Sequence, residues 1–287
     1  MGNKFSRSLA LARESLAVLR RTPSLMWFPI ISGISTLLVT ASFVIPIFLT
    51  TDFNHIDKTT NTMARYAVLA AYYLVSYFVI IFFNSGLVAC ANASLRGEET
   101  SFSQGFGHAM SRLPAILGWT VISATVGMIL NLISERMGIV GKIVVALIGG
   151  AWNLITYFVV PIIVIDHGSP IAAIKKSGAM LRTTWGENLI GNAGIGLVIF
   201  YAALIPVLPI ILMFSLGMNV LGLALVGVCV LYWLVLAILG ASLSGVYQTA
   251  LYVYSSTGKT PSGFSQETIG NAFSQKEPGI IGKYRKR

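Results

Sequence analysis

Charge is what this chain has least of. Only 10% of its 287 residues are charged, where soluble domains carry about 25%. With 55% hydrophobic residues and a mean hydropathy of +0.77, a folded chain in water would be covered by exposed apolar patches. Its solvent must therefore be largely lipid, and the composition predicts an integral membrane protein.

Reactive groups are scarce too. The two cysteines, Cys90 and Cys229, fall inside apolar runs, where a thiol acts as a small hydrophobe, so no disulfide framework or metal cluster is implied. The three histidines, His55, His108 and His167, lie in different loops without metal-ligand spacing. Asp166 and His167 adjoin in IDHGSP, which reads as a span end meeting water. Acidic residues fall near span ends or in loops, leaving no buried carboxylate pair of the kind proton-coupled transporters use. No serine sits in a G-x-S-x-G elbow. The expectation is a protein that is not an enzyme and carries no metal and no cofactor.

The one stretch that resembles a reactive motif is YSSTGKTPSGF, Tyr254 to Phe264. A phosphate-binding loop needs a glycine five residues before the GK, and Val253 stands there. An apolar helix precedes the motif in place of a strand, and Pro261 interrupts the helix that should follow. GKT reads instead as the end of a span, with Gly258 suited to closing it and Pro261 and Ser262 to starting a new segment. The N-terminal MGNKFS fits a myristoylation pattern, but many spans would make a lipid anchor redundant. The start of the chain is too charged and too periodic for a secretory signal.

What is present is length of apolar run. Six segments hold enough apolar residues to cross hydrocarbon, roughly Leu25 to Leu49, Tyr66 to Ala91, Ala115 to Ile133, Ile143 to Ile165, Leu189 to Phe214 and Val220 to Tyr254. Pro29, Pro46, Pro161, Pro206 and Pro209 mark expected kinks. The Lys and Arg residues divide sixteen to four between the two sides of that topology. The richer side holds the N-terminus, the second and fourth loops and the tail. The positive-inside rule then puts both termini in the cytosol. The net charge of +10 reads as a basic inner surface against anionic headgroups, with no nucleic-acid partner implied.

A pattern also recurs. Phe5, Leu9, Ala12, Leu16 and Leu19 alternate at steps of four and three ahead of the first span, as in an amphipathic helix lying in the interface. Phe102, Phe106, Ala109 and Leu113 repeat it before the third span, and Ile171, Ile174, Gly178, Leu181 and Trp185 before the fifth. The fold class expected is an all-α integral membrane protein, six transmembrane helices in three hairpins, each preceded by an interfacial amphipathic helix. A single domain over 1–255 would hold repeat units at about 5–95, 101–165 and 170–255. A basic cytosolic tail, 256–287, follows, and Phe264, Ser265 and Gln266 repeat Phe102, Ser103 and Gln104 as a candidate fourth amphipathic helix.

Polar residues inside the spans are costly unless paired and so become candidates for function. Asn84 and Asn153 occupy matched places in two return spans beside small residues, and Asn192 and Gln248 join them. Asn131 and Asn188 are amides of the same kind, and pairing between helices is the plainer use of any one of the six. Lys175, Lys176 and Arg182, with Trp185, suit a lipid phosphate at the inner leaflet.

The segments FFNSGLVACANASLRGEETS, SRLPAILGWTVISATVG and AWNLITYFVV through GNAGIG resemble a widespread group of uncharacterised bacterial six-span proteins, closely over about Phe82 to Gly196. More distantly, the layout is similar to the membrane domain of some bacterial glycerophosphodiester phosphodiesterases. The first resemblance implies a bacterial inner-membrane location. The second hints at glycerolipid surroundings, but no catalytic domain is present to supply phosphodiesterase residues. The combined expectation is a non-enzymatic protein that binds or organises lipids or partner proteins, with envelope homeostasis as a setting. Membrane lipids are its expected partners, with other membrane proteins or a second copy as further candidates. The alternative is a transporter or channel for a small solute or lipid, with the asparagines near its pathway.

Overall fold

The computed structural model describes residues 2–50, 62–184, 191–266 and 269, and among them no strand occurs. Six helices are long and apolar enough to cross a membrane, over Pro23–Leu49, Tyr66–Leu95, Leu113–Arg136, Gly141–Ile165, Ile195–Ser215 and Asn219–Thr257. This is a multi-pass membrane protein. Helices are what such runs must form, because hydrocarbon offers the backbone no partners and an α-helix satisfies its own.

The elements run α1 (Gly2–Arg21), a 3₁₀ turn (Pro23–Met26), α2 (Trp27–Thr50), α3 (Thr62–Leu95), α4 (Phe102–Ser111), α5 (Leu113–Arg136), α6 (Gly138–Ile155), α7 (Val159–Ile165), α8 (Pro170–Thr184), α9 (Gly191–Leu204), α10 (Val207–Ser215) and α11 (Asn219–Thr257). The packing divides into two compact units, Thr22–Gly178 and a second made of Met1–Arg21 with Ala179–Arg287. The helix before the first span therefore groups with the third pair of spans.

In the unit Thr22–Gly178, α3 is the hub, packed by α2, α4, α5 and α7, while α6 lies on α5. The 34 residues of α3 reach about 51 Å, well over the ~30 Å of hydrocarbon. Its packed part is the C-terminal end, where Phe82, Leu87, Val88, Cys90, Ala91 and Leu95 are buried. Glycines allow this closeness. A Cβ at Gly86 would stand 2.4 Å from the Phe28 ring, and one at Gly105 would stand 2.4 Å from Cys90 Sγ and 2.7 Å from the Gly86 carbonyl. Phe28 also meets Phe102, their centroids 4.7 Å apart.

The fourth span is two helices, α6 and α7, broken at Thr156–Phe158. Pro161 has no N–H to give the carbonyl of Tyr157, so the strain appears a turn before the proline. A membrane helix can break only where neighbours satisfy the freed groups. Here the Phe158 N–H donates to Ser177 Oγ of α8 at 3.1 Å. That contact sets the face α8 presents, which is Ala173 and Ser177, both buried, while Ile171 is exposed. Of the expected stripe, Ile171 is exposed and Ile174, Gly178 and Leu181 are half-buried, while small residues stand where α8 approaches the break.

In the other unit, α11 is packed by α1, α9 and α10, and α1 also meets α9. Leu11, Ala12, Ser15, Val18 and Leu19 form the buried face of α1, and Arg13, Arg20 and Arg21 are exposed. The expected Phe5 and Leu9 contribute side chains outside the described residues. The 39 residues of α11 span about 58 Å. Its first half is largely exposed apolar surface, whereas Leu243, Val246, Tyr247, Ala250, Leu251 and Tyr252 are buried with Phe264 and Ile269. The fifth span breaks before Pro206, which removes a donor from the Ala202 carbonyl. Tyr232 OH donates to Ala202 O at 2.9 Å and Trp233 Nε1 to Ala203 O at 3.0 Å.

The GKT run closes α11. Gly258 caps the helix at φ 68° with its N–H on Tyr254 O, as expected of a span end. The Lys259 N–H turns back to Thr257 Oγ1 at 3.2 Å, so that amide already has a partner.

Candidate functional site

Two polar turns meet at one end of the unit Thr22–Gly178. The first closes α3. Gly97 at φ 80° lets the Glu98 N–H reach Ala93 O and the Gly97 N–H reach Ser94 O, both at 3.0 Å, the pattern of a glycine-terminated helix. Four residues later Ser101 starts α4 with a capping box: its hydroxyl takes the Gln104 N–H, and Gln104 Oε1 takes the Ser101 N–H at 2.9 Å. Between them Thr100 donates to Cys90 Sγ and Cys90 donates to Ser101 O, each at 3.2 Å, tying the turn to α3.

The second turn closes α7. The N–H groups of Asp166 and Gly168 both reach Ile162 O, at 3.1 and 3.2 Å, which leaves His167 at φ 57°. That left-handed backbone is uncommon for a side chain bearing Cβ, so His167 is held out of the helix by its neighbours. Ser169 then caps α8, its hydroxyl accepting the Ala172 N–H at 3.4 Å. Asp166 forms an ion pair with Lys176.

Because α7 lies on α3, these turns wall a cavity of about 280 Å³ whose polar lining includes Asn92, Arg96, Glu99, Gln104, His108 and His167. Glu98 belongs to the same wall and pairs with Arg96 through both guanidinium contacts, at 3.0 and 3.1 Å. A second, more open cavity of about 400 Å³ shares His167 and is lined by Ser111, Arg112, Ala115, Gly168 and Ser169 among others. Arg112 Nε donates to Ile163 O at 3.2 Å, a cation against the last turn of α7. Among the described residues no three His, Cys, Asp or Glu side chains converge to hold a metal.

The residues expected from sequence are distributed differently. Asn84 is half-buried on α3 and Gln248 half-buried on α11, whereas Asn153 is exposed on α6. Neither cavity has Asn84 or Asn153 in its wall. Asn192 lies on α9 and Arg182 on α8, but their side chains, and Trp185 entirely, lie outside the described residues, as does Asn188. Lys175 and Lys176 are exposed on α8, Lys176 in its pair with Asp166. The cavity residues could have been suspected, since SLRGEETSF and IDHGSPI hold matched places after two return spans. What the sequence does not display is that the two turns adjoin.

A profile described as a family of unknown function, DUF6159, matches residues 63–264. No curated protein and no solved structure matches the chain, so the distant likeness to the glycerophosphodiester phosphodiesterase membrane domain rests on sequence layout alone.

Proposed function

This chain belongs to the DUF6159 family of unknown function, and on that footing we propose that it is a non-enzymatic protein of the bacterial inner membrane that holds phospholipid headgroups. The observation that carries the reading is a pair of cavities that share His167, one between the ends of the second and fourth spans and the other between the end of the fourth and the start of the third. A cavity at a span end lies at headgroup depth, where a lipid can enter laterally and leave its chains in the bilayer. Basic residues near that level favour phosphate, each by about 1 kcal/mol. Exposed Lys175 on the adjoining α8 supplies such a charge, and on the sequence reading Arg182 supplies another, with Trp185 as an interfacial aromatic beside it. With sixteen of the twenty Lys and Arg on one side of the expected topology, this face is the cytosolic one, and both termini share it.

A transporter remains the competing reading, since broken spans are common at transport sites. Here the Phe158 N–H and the Ala202 and Ala203 carbonyls at the breaks have side-chain partners in Ser177, Tyr232 and Trp233, which supports a closed helix contact over an ion-coordinating one. The readings separate in a purified sample. Native mass spectrometry of the detergent-extracted protein is expected to show retained phospholipid. Loss of all lipid, together with proteoliposome solute flux abolished by Asn84→Leu, would replace this proposal with transport.

A further inference from the structure

The two cavities differ in charge, and the difference specifies a headgroup. In the smaller, Arg96 and Glu98 neutralise each other through a two-contact pair. With histidines counted neutral, the formal charge left in that wall is the Glu99 carboxylate. Asn92 contributes an amide, while Gln104 has its carbonyl committed to the Ser101 cap. The acceptors this leaves open in the wall include the Glu99 carboxylate and the Asn92 carbonyl; the wall holds no aromatic carbon ring and suits a cation that donates hydrogen bonds.

The larger cavity has the opposite character. Its formal charge is Arg112, with the Ser169 hydroxyl beside it and no acidic residue in the wall, while the Ser111 hydroxyl is donated to His108 O at 2.8 Å. Arg112 uses Nε on Ile163 O and so retains its terminal amino groups for a further acceptor. The first turns of α5 and α8 both border the space, at Pro114 and Pro170, adding the positive ends of two helix dipoles. This cavity suits an anion, and His167 lines both.

From this geometry we infer that the paired cavities form one site for a zwitterionic phospholipid bearing a primary amine, its phosphate at Arg112 and its ammonium at Glu99. The inference rests on the lipid-binding reading above and narrows it. An anionic glycerol headgroup would bring no cation to Glu99. A choline headgroup would bring a cation without N–H donors, which proteins ordinarily hold in aromatic cages, and the smaller cavity offers none. A primary ammonium has three donors for the Glu99 carboxylate and the Asn92 carbonyl.

The test is lipid competition on the full chain in detergent, followed by native mass spectrometry, with phosphatidylethanolamine, phosphatidylcholine and phosphatidylglycerol as probes. Soluble phosphoethanolamine forms a separate arm. Wild type is expected to retain phosphatidylethanolamine about tenfold or more over the other two, the order of one charge-assisted hydrogen bond. Glu99→Gln is expected to erase that preference while total retained lipid persists, and Arg112→Ala to lower retention of every class. Glu99 is exposed, so its variant should fold, and Arg112→Lys, which keeps the charge, should restore binding if Arg112→Ala proves unstable. Competition by soluble phosphoethanolamine at equal potency would mean that the headgroup alone, not the lipid, is the ligand. Lipid retained without class preference, or with a preference that Glu99→Gln leaves intact, overturns this inference and spares the broader reading. No retained lipid of any class overturns the broader reading first.

Discussion

At Gly105 there is no room for a methyl group. A Cβ there would lie 2.4 Å from Cys90 Sγ, 2.6 Å from Phe28 Cζ and 2.7 Å from a backbone carbonyl, and the carbonyl cannot swing aside as a side chain could. Gly105→Ala is expected to destabilise the protein by about 1–3 kcal/mol through overpacking, read as a lower thermal midpoint in detergent. Gly107, two residues on, has nothing within 4 Å, so Gly107→Ala should instead gain about 0.5–1 kcal/mol from helix propensity. The small-residue clusters noted in the sequence divide the same way. Gly86 sits hard against Phe28, whereas Gly150 faces open space. Composition flags both alike, because which neighbour supplies the bulky ring is a tertiary fact. Asn153 makes the complementary case, an amide exposed in mid-span. Asn153→Leu should raise the thermal midpoint, corresponding to about 1 kcal/mol, since an amide facing hydrocarbon is unfavourable. A lowered midpoint would mean that the amide is paired.

Broken helices carry the next level of organisation. In the fourth span, at the break over Thr156–Phe158, the Phe158 N–H donates to buried Ser177. Ser177→Ala strands that N–H, and the expected cost is about 1–3 kcal/mol. Tyr232→Phe in α11 should cost less, about 0.6 kcal/mol, because Ala202 O keeps the Ile205 N–H at 3.2 Å. Thermal melts of the two variants side by side check the order, and a larger loss at Tyr232 would reverse this account of the breaks. The sequence carried part of this. Pro161 and Pro206 marked the two spans that break, since a missing N–H is a local property, whereas α2 runs unbroken past Pro29 and Pro46. The sequence did not place the first break, nor show that Ala173 and Ser177 are buried on α8, because an apolar sequence does not name the partner a helix face meets.

For the whole molecule, the six spans were legible within a few residues of where they occur, from Pro23–Leu49 to Asn219–Thr257, because lipid imposes long uniform apolar runs. The grouping of α1 with the third pair of spans was not, since an amphipathic stripe tells which face is buried and not against what. The first cavity was hidden for the same reason, being assembled from Asn92 on α3, His108 on α4 and His167 in the turn after α7. The charge asymmetry predicts that reporters fused to either terminus will be active only as cytosolic fusions, and activity on the far side would invert the proposed face. The claim that matters most is that lipid headgroups lodge at the junction of α3, α4 and α7. Photocrosslinking with a phospholipid whose headgroup carries the reactive group, followed by peptide mapping, tests it directly. Adducts are expected on residues 89–112 and 163–170. Adducts scattered along the exposed apolar spans, with none at that junction, would contradict the account.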